Sequence, residues 1–147
     1  MTGILVGRVA IISGAAQGIG AASARALAEA GASVVLGDLK DAIGFETAAQ
    51  LRADGFDADY LPLDVTDPAA WAAIVAHAIA HFGRVDCLVN NAGIDIPGTI
   101  EDARIEDFRR ILDVNLFSQF HGMQAVIPAM KATGGGSIVN ISSLATK

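Results

Sequence analysis

The residues with the plainest chemistry are Ser13-Gly-Ala-Ala-Gln-Gly-Ile-Gly20, a glycine-rich turn between an apolar run and an alanine-rich one. A strand feeding such a turn and then a helix presents unpaired backbone N–H groups and a positive dipole end, which suits a pyrophosphate. Gly14 permits the tight turn, Gly18 lets a phosphate approach the backbone, and Gly20 allows close packing of helix on strand. Asp38 stands about twenty residues on, at the end of the next apolar run, where a carboxylate can accept both ribose hydroxyls of an adenosine. Asp64 ends a third run. A glycine turn without a ligand is the plainer reading of the loop alone, and the two aspartates at one sheet edge weigh against it.

Other polar groups carry less information by themselves. Asp64 is equally a turn residue, and Asn90-Asn-Ala-Gly93 is equally a turn in which Asn and Gly accept unusual backbone angles. Asn115 stands in a helical stretch, where Asn ordinarily bonds its own backbone or faces solvent. Ser142 and Ser143 end the last apolar run, and spacing does not choose between them. His77 and His81 lie one helical turn apart, with Cys87 a conceivable third metal ligand; histidines near a helix C-terminus suit the dipole without any ion, so no metal is expected. Glu101-Asp102 and Glu106-Asp107 suit a helix start, and Gly134-Gly-Gly136 lacks the Lys-Ser/Thr of a phosphate-binding loop.

These residues must be held by alternating elements. The pattern predicts strands near 8–12, 33–37, 58–63, 86–90 and 137–141. Helices are expected over 21–30, 42–53, 68–82 and, as one long element, 105–131. Asp67-Pro68 is a helix start with a mechanism, Asp as N-cap and Pro where its missing N–H costs nothing. Strands separated by helices of this length read as crossover units, hence an α/β fold with a parallel sheet covered on both faces.

Ser13-Gly-x-x-x-Gly-Ile-Gly20, Asp64-Val65, Asn90-Asn-Ala-Gly93, Asn115 and Asn140-Ile-Ser-Ser143, in that order, resemble the short-chain dehydrogenase/reductase family. Ser13 stands where the family usually has Thr, and either hydroxyl can brace the turn. The resemblance implies a Rossmann-type doubly wound sheet in one dinucleotide-binding domain over 1–147, with strand order 3-2-1-4-5 and the family's last two strands missing. It implies that Ser13, Gly14, Gln17, Gly18, Ile19, Gly20, Asp38, Asp64, Val65, Asn90, Ala92 and Gly93 bind the cofactor. Asp64 would bond the adenine, and the Asn90–Gly93 segment would steady the sheet and line the ribose. Asn115 would kink its helix and anchor a water on the way to a catalytic lysine, and Ser143 would bond the substrate carbonyl where negative charge develops. The implied reaction is hydride transfer between NAD(H) and a secondary alcohol or ketone, with small-molecule substrates.

Asp38 would repel the 2′-phosphate of NADP, which predicts NAD(H). The family's acid/base pair, Tyr-x-x-x-Lys, follows the serine by roughly a dozen residues. Here the one tyrosine is Tyr60, with Asp64 four positions on, and Lys147 is four beyond Ser143. The chain is therefore expected to be an inactive, C-terminally shortened form of an oxidoreductase, with a non-catalytic NAD-binding module or a product without stable function as alternatives. Gly98–Asp102 and Asp113–Leu116 are similar to bacterial hydroxysteroid and secondary-alcohol dehydrogenases and to 3-oxoacyl-carrier-protein reductases. The resemblance also implies a homo-oligomer through the long helix at 105–131.

Composition removes other classes. The formal charge of −6 argues against nucleic acid, which wants a basic face. The hydrophobic fraction of 52% is high, yet no apolar run reaches the length of a membrane span. Cys87 is alone, so no intrachain disulfide forms and a cytoplasmic setting is expected.

Overall fold

The computed structural model describes residues 3–143. Five strands form one parallel sheet in the order β3-β2-β1-β4-β5. They are β1 (Val9–Ser13), β2 (Ser33–Asp38), β3 (Ala58–Pro62), β4 (Cys87–Asn90) and β5 (Ser137–Asn140). The helices are α1 (Gly18–Glu29), α2 (Asp41–Ala53), α3 (Pro68–Phe82), α4 (Ile105–Leu112) and α5 (Ser118–Ala132). Each strand lies within one or two residues of its expected place, and the strand order is the expected one.

Both faces of the sheet are covered, which is why its inner strands are apolar along most of their length, with polar residues at their ends. Val9, Ile11, Val35 and Leu88 face Trp71, Ile74 and Val126 of α3 and α5. Ala10, Ile12, Val34 and Leu36 face Ala24, Ala28, Ala48 and Leu51 of α1 and α2. The buried line of α1 is Gly20, Ala24 and Ala28, one turn apart, so this helix meets the sheet with almost no side-chain bulk. At the head of α3 the Asp67 carboxylate accepts the Ala69 N–H at 2.8 Å with Pro68 in the first turn, as expected. Gly83, at φ 83°, ends the helix in a left-handed turn.

Two helical expectations need correction. α1 begins at Gly18 rather than 21, because the last glycines of the loop already belong to its first turn. The stretch 105–131 is not one regular helix: a π-helical turn, Asp113–Phe117, separates α4 from α5, at the Asn115 where the family resemblance implies a kink. Such a turn inserts a residue and redirects the side chains around it. Pro128 lies inside α5, which runs on to Ala132 despite the lost donor.

β3 and β5 are the sheet edges. Val139 of β5 and Ile141 just past it, Phe108 of α4, Leu116 and Phe117 of the π-helical turn and Phe120 of α5 are large apolar side chains exposed to solvent. Among the described residues no helix is long and apolar enough to cross a membrane.

Candidate functional site

In a parallel sheet all strands end on the same edge, and at this edge lies a cavity of about 360 Å³. The glycine loop after β1 supplies Gly14, Gln17 and Gly18 to its wall, and the end of β2 supplies Asp38, Leu39 and Lys40. Leu63, Asp64 and Val65 follow β3, Asn91 to Ile94 follow β4, and Arg110 and Val114 close the far side. This is the crevice where ligands of open α/β sheets bind.

The glycine loop is held from below by Ser13, which is 1% exposed. Its hydroxyl accepts the N–H groups of Asn91 and Ala92 at 3.0 and 3.1 Å, tying the end of β1 to the turn after β4. Serine therefore performs the bracing expected of it. Gly14 has φ 64°, and a Cβ there would stand 2.8 Å from the Cα of Ala92. Gly18 has φ 61° and open space where a Cβ would point. No side chain caps α1, so the N–H groups of its first turn have no side-chain acceptor. A Cβ on Gly20 would run into the Gly14 carbonyl and the Asn91 amide, so this glycine lets α1 sit close against the loop and the turn after β4.

The Asp38 carboxylate accepts the Ala16 N–H and the Lys40 N–H, each at 3.0 Å. It thus fixes the glycine loop while lining the cavity. Asp64 accepts the N–H and hydroxyl of Thr66 at 2.9 and 2.7 Å, the turn geometry available to any strand-end aspartate. Behind Val65, the indole N–H of fully buried Trp71 donates to the Val65 carbonyl at 3.0 Å, which anchors the cavity wall to the core.

Ala92 and Gly93 line the cavity, but Asn90 does not. Asn90 is buried and its amide donates to Asn140 at 2.9 Å and to the Gln119 carbonyl at 3.3 Å. Its Oδ1 has no partner among the described residues. Its neighbour Asn91, part of the expected segment but not among the residues expected to bind the cofactor, lines the cavity and donates to the carbonyls of Ser13 and Gly14, both at 3.0 Å. Thr47 of α2, equally unforeseen, donates to the Ala16 carbonyl at 2.7 Å. Leu63, Ile94, Arg110 and Val114 carried no sequence signal beyond ordinary strand and helix residues. Ile19 is two-thirds exposed on the first turn of α1 and does not line the cavity.

Asn115 sits in the π-helical turn with its side chain committed to the backbone of Ile94. Ser143 is exposed just past β5, at the same sheet edge but outside the cavity wall. Tyr60 is buried on β3, and its hydroxyl lies 2.7 Å from both the Asp38 carbonyl and the Asp41 carboxylate. Burial first, then the hydrogen bond to Asp41 and the charges of Asp41 and Asp38, raise its pKa well above the usual phenol value. That environment opposes a role in proton transfer.

The family model for short chain dehydrogenase matches residues 8–147. The chain is 51% identical over 144 residues to a 3-alpha-(or 20-beta)-hydroxysteroid dehydrogenase of Mycobacterium tuberculosis, covering 98% of this chain and 54% of that protein. It is 47% identical over 144 residues to a trans-4-hydroxycyclohexanecarboxylate dehydrogenase of Sinomonas cyclohexanicum, covering 94% and 55%. A 3-beta-hydroxysteroid dehydrogenase of Comamonas testosteroni is 40% identical over 146 residues, covering 99% and 56%. The chain spans about half the length of the curated relatives it matches.

Proposed function

The chain belongs to the short-chain dehydrogenase family, and from that premise we propose that it binds NAD(H) in the cavity at the C-terminal edge of the sheet. The observation that carries the reading is the cradle at Gly18. Its left-handed backbone, the open space before it and the uncapped first turn of α1 leave room and N–H donors for a pyrophosphate. Asp38 faces the same cavity with a carboxylate that can take a ribose diol and would repel a 2′-phosphate, so NAD(H) is favoured over NADP(H). Asp64 and Val65 would receive the adenine.

When bound, the nicotinamide supplies a hydride acceptor or donor. The substrate class is a secondary alcohol or ketone on an alicyclic skeleton, by analogy with the hydroxysteroid and hydroxycyclohexane relatives. Ser143 would bond the substrate oxygen. Because the Asn115 side chain is taken up by Ile94, any part in proton relay falls to its backbone. Tyr60 is the one tyrosine in the sequence and is turned away to Asp41, so among the described residues no tyrosine stands beside Ser143. Binding without turnover is therefore the expected behaviour of the chain by itself.

The sole tryptophan, Trp71, reports on binding because it is bonded to the cavity wall at Val65. Titration with NADH should quench its emission by energy transfer. An assay with NAD and a hydroxysteroid should give no NADH above background. Unchanged Trp71 emission together with no calorimetric heat would refute the binding site, and steady NADH production would refute the lack of turnover.

A further inference from the structure

We propose that Asp59, His77 and His81 form a binding site for one divalent transition-metal ion, of the zinc class, on the outer edge of the sheet away from the nucleotide cavity. Asp59 lies on the edge strand β3, and His77 and His81 lie one turn apart on α3. One ligand atom from each falls within 4.8 Å of the others. Bonds of about 2.0 Å in a tetrahedral site require ligand atoms roughly 3.3 Å apart, so side-chain rotation has to draw the atoms together by up to about 1.5 Å.

The cluster is already shaped for this. The His81 Nδ1 lies 3.0 Å from the His77 carbonyl, which only accepts, so Nδ1 carries the proton and Nε2 presents its lone pair. A backbone carbonyl holding the other ring N–H is the usual support of a metal-bound histidine. The two imidazoles are stacked with centroids 3.9 Å apart and planes 26° apart, so both lie on one side of α3 and a shared ion requires the stack to open until their lone pairs converge. His77 Nε2 lies 2.6 Å from Asp59 Oδ2. A metal takes the place of the proton shared there, and that proton passes to Nδ1 of the same ring. Two imidazoles and a carboxylate suit zinc, nickel or copper rather than magnesium or calcium. The remaining coordination positions belong to water, since His81 is exposed. Arg52 lies 3.8 Å from the other Asp59 oxygen and donates to the Ala58 carbonyl at 2.9 Å, so it stands beside the site without occupying the Oδ2 side that faces His77.

The spacing of His77 and His81 is visible in the sequence, whereas the third ligand is not the Cys87 that spacing suggested. Cys87 packs against the core on the α1 and α2 side of the sheet. Asp59 comes from another element, so an ion would pin β3 to α3, and binding to the folded state alone raises its melting temperature.

The test is calorimetric titration of the chain with zinc chloride, paired with thermal unfolding with and without zinc. One ion per chain at micromolar zinc and a higher Tm are expected, both retained in Cys87→Ser. His81→Gln and Asp59→Asn should each weaken binding at least about tenfold, the cost of disturbing such a site. Because His81 is exposed, His81→Gln should melt like the parent in EDTA, which separates ligand loss from misfolding. Absence of zinc binding, parental affinity in His81→Gln, or loss of binding in Cys87→Ser would overturn the assignment.

Discussion

The side-chain amide of Asn115 satisfies both backbone groups of Ile94: its Oδ1 accepts the Ile94 N–H at 2.8 Å and its Nδ2 donates to the Ile94 carbonyl at 2.9 Å. A π-helical turn brings that amide level with the segment after β4, and the pair fixes one wall of the cavity. Asn115→Ala leaves two backbone groups without partners. It should cost about 1–3 kcal/mol in denaturant unfolding. The Ile94 amide should also lose hydrogen-exchange protection more than its neighbours in β4, whereas a purely global effect would speed all of them alike.

Gly14 and Gly18 share a left-handed backbone but differ in surroundings, and substitution should separate them. Gly18→Ala meets no atom, so its stability cost is the backbone strain of about 1–2 kcal/mol. Its methyl group occupies the phosphate cradle, so NADH affinity should fall far more than stability. Gly14→Ala adds a clash with Ala92 to the same strain and should be the less stable of the two in thermal unfolding.

Asp38→Ala removes the acceptor for the Ala16 N–H as well as the proposed partner of the ribose diol. A charged hydrogen bond contributes about 1.5–3 kcal/mol, which corresponds to a roughly tenfold to hundredfold loss of NADH affinity. NADPH affinity should fall less or rise, because the repelling charge is gone. An unchanged ratio of the two affinities would remove Asp38 from cofactor selection.

Asp86 predicts the acid limb of stability. Burial by itself would raise its pKa, but Arg84, Arg8 at 2.8 Å and the Val9 N–H at 3.0 Å all donate to the carboxylate and hold it below the usual value. A carboxyl depressed in the folded state stabilises above its unfolded pKa, near 3.8, and loses that contribution as pH falls through the lower folded value. Stability should therefore decline below about pH 4. Asp54 and Asp59 shift in the same direction and share the decline. Asp86→Asn should be about 2 kcal/mol less stable at neutral pH, with a shallower acid limb in chemical unfolding followed from pH 7 to pH 3.

Local signals in the chain were enough for the elements and for much of the site. Apolar runs of strand length placed all five strands, and Asp67-Pro68 placed the start of α3, because periodicity and capping act over a few residues. Gly14, Gly18 and Gly20 could be given separate tasks because a glycine answers mainly to its own backbone and nearest neighbours. Asp38 and Asp64 could be placed on one edge because parallel strands end together.

Choices that depend on what lies across the fold were not legible. Of two adjacent asparagines, Asn91 reaches the glycine loop and Asn90 turns to α5, a matter of strand pleat relative to β1 and β5. The π-helical turn in the stretch 105–131 was signalled only through the family resemblance at Asn115; what the sequence did not show is the partner of that side chain, Ile94, in another segment. Asp59 joins His77 only in the folded chain, where edge strand β3 and helix α3 each contribute one of the two residues. Short-range preference settled which elements form and where they stop. Partner choice among polar side chains was settled by packing, since a hydrogen bond needs two groups within about 3 Å and only the folded chain decides which two those are.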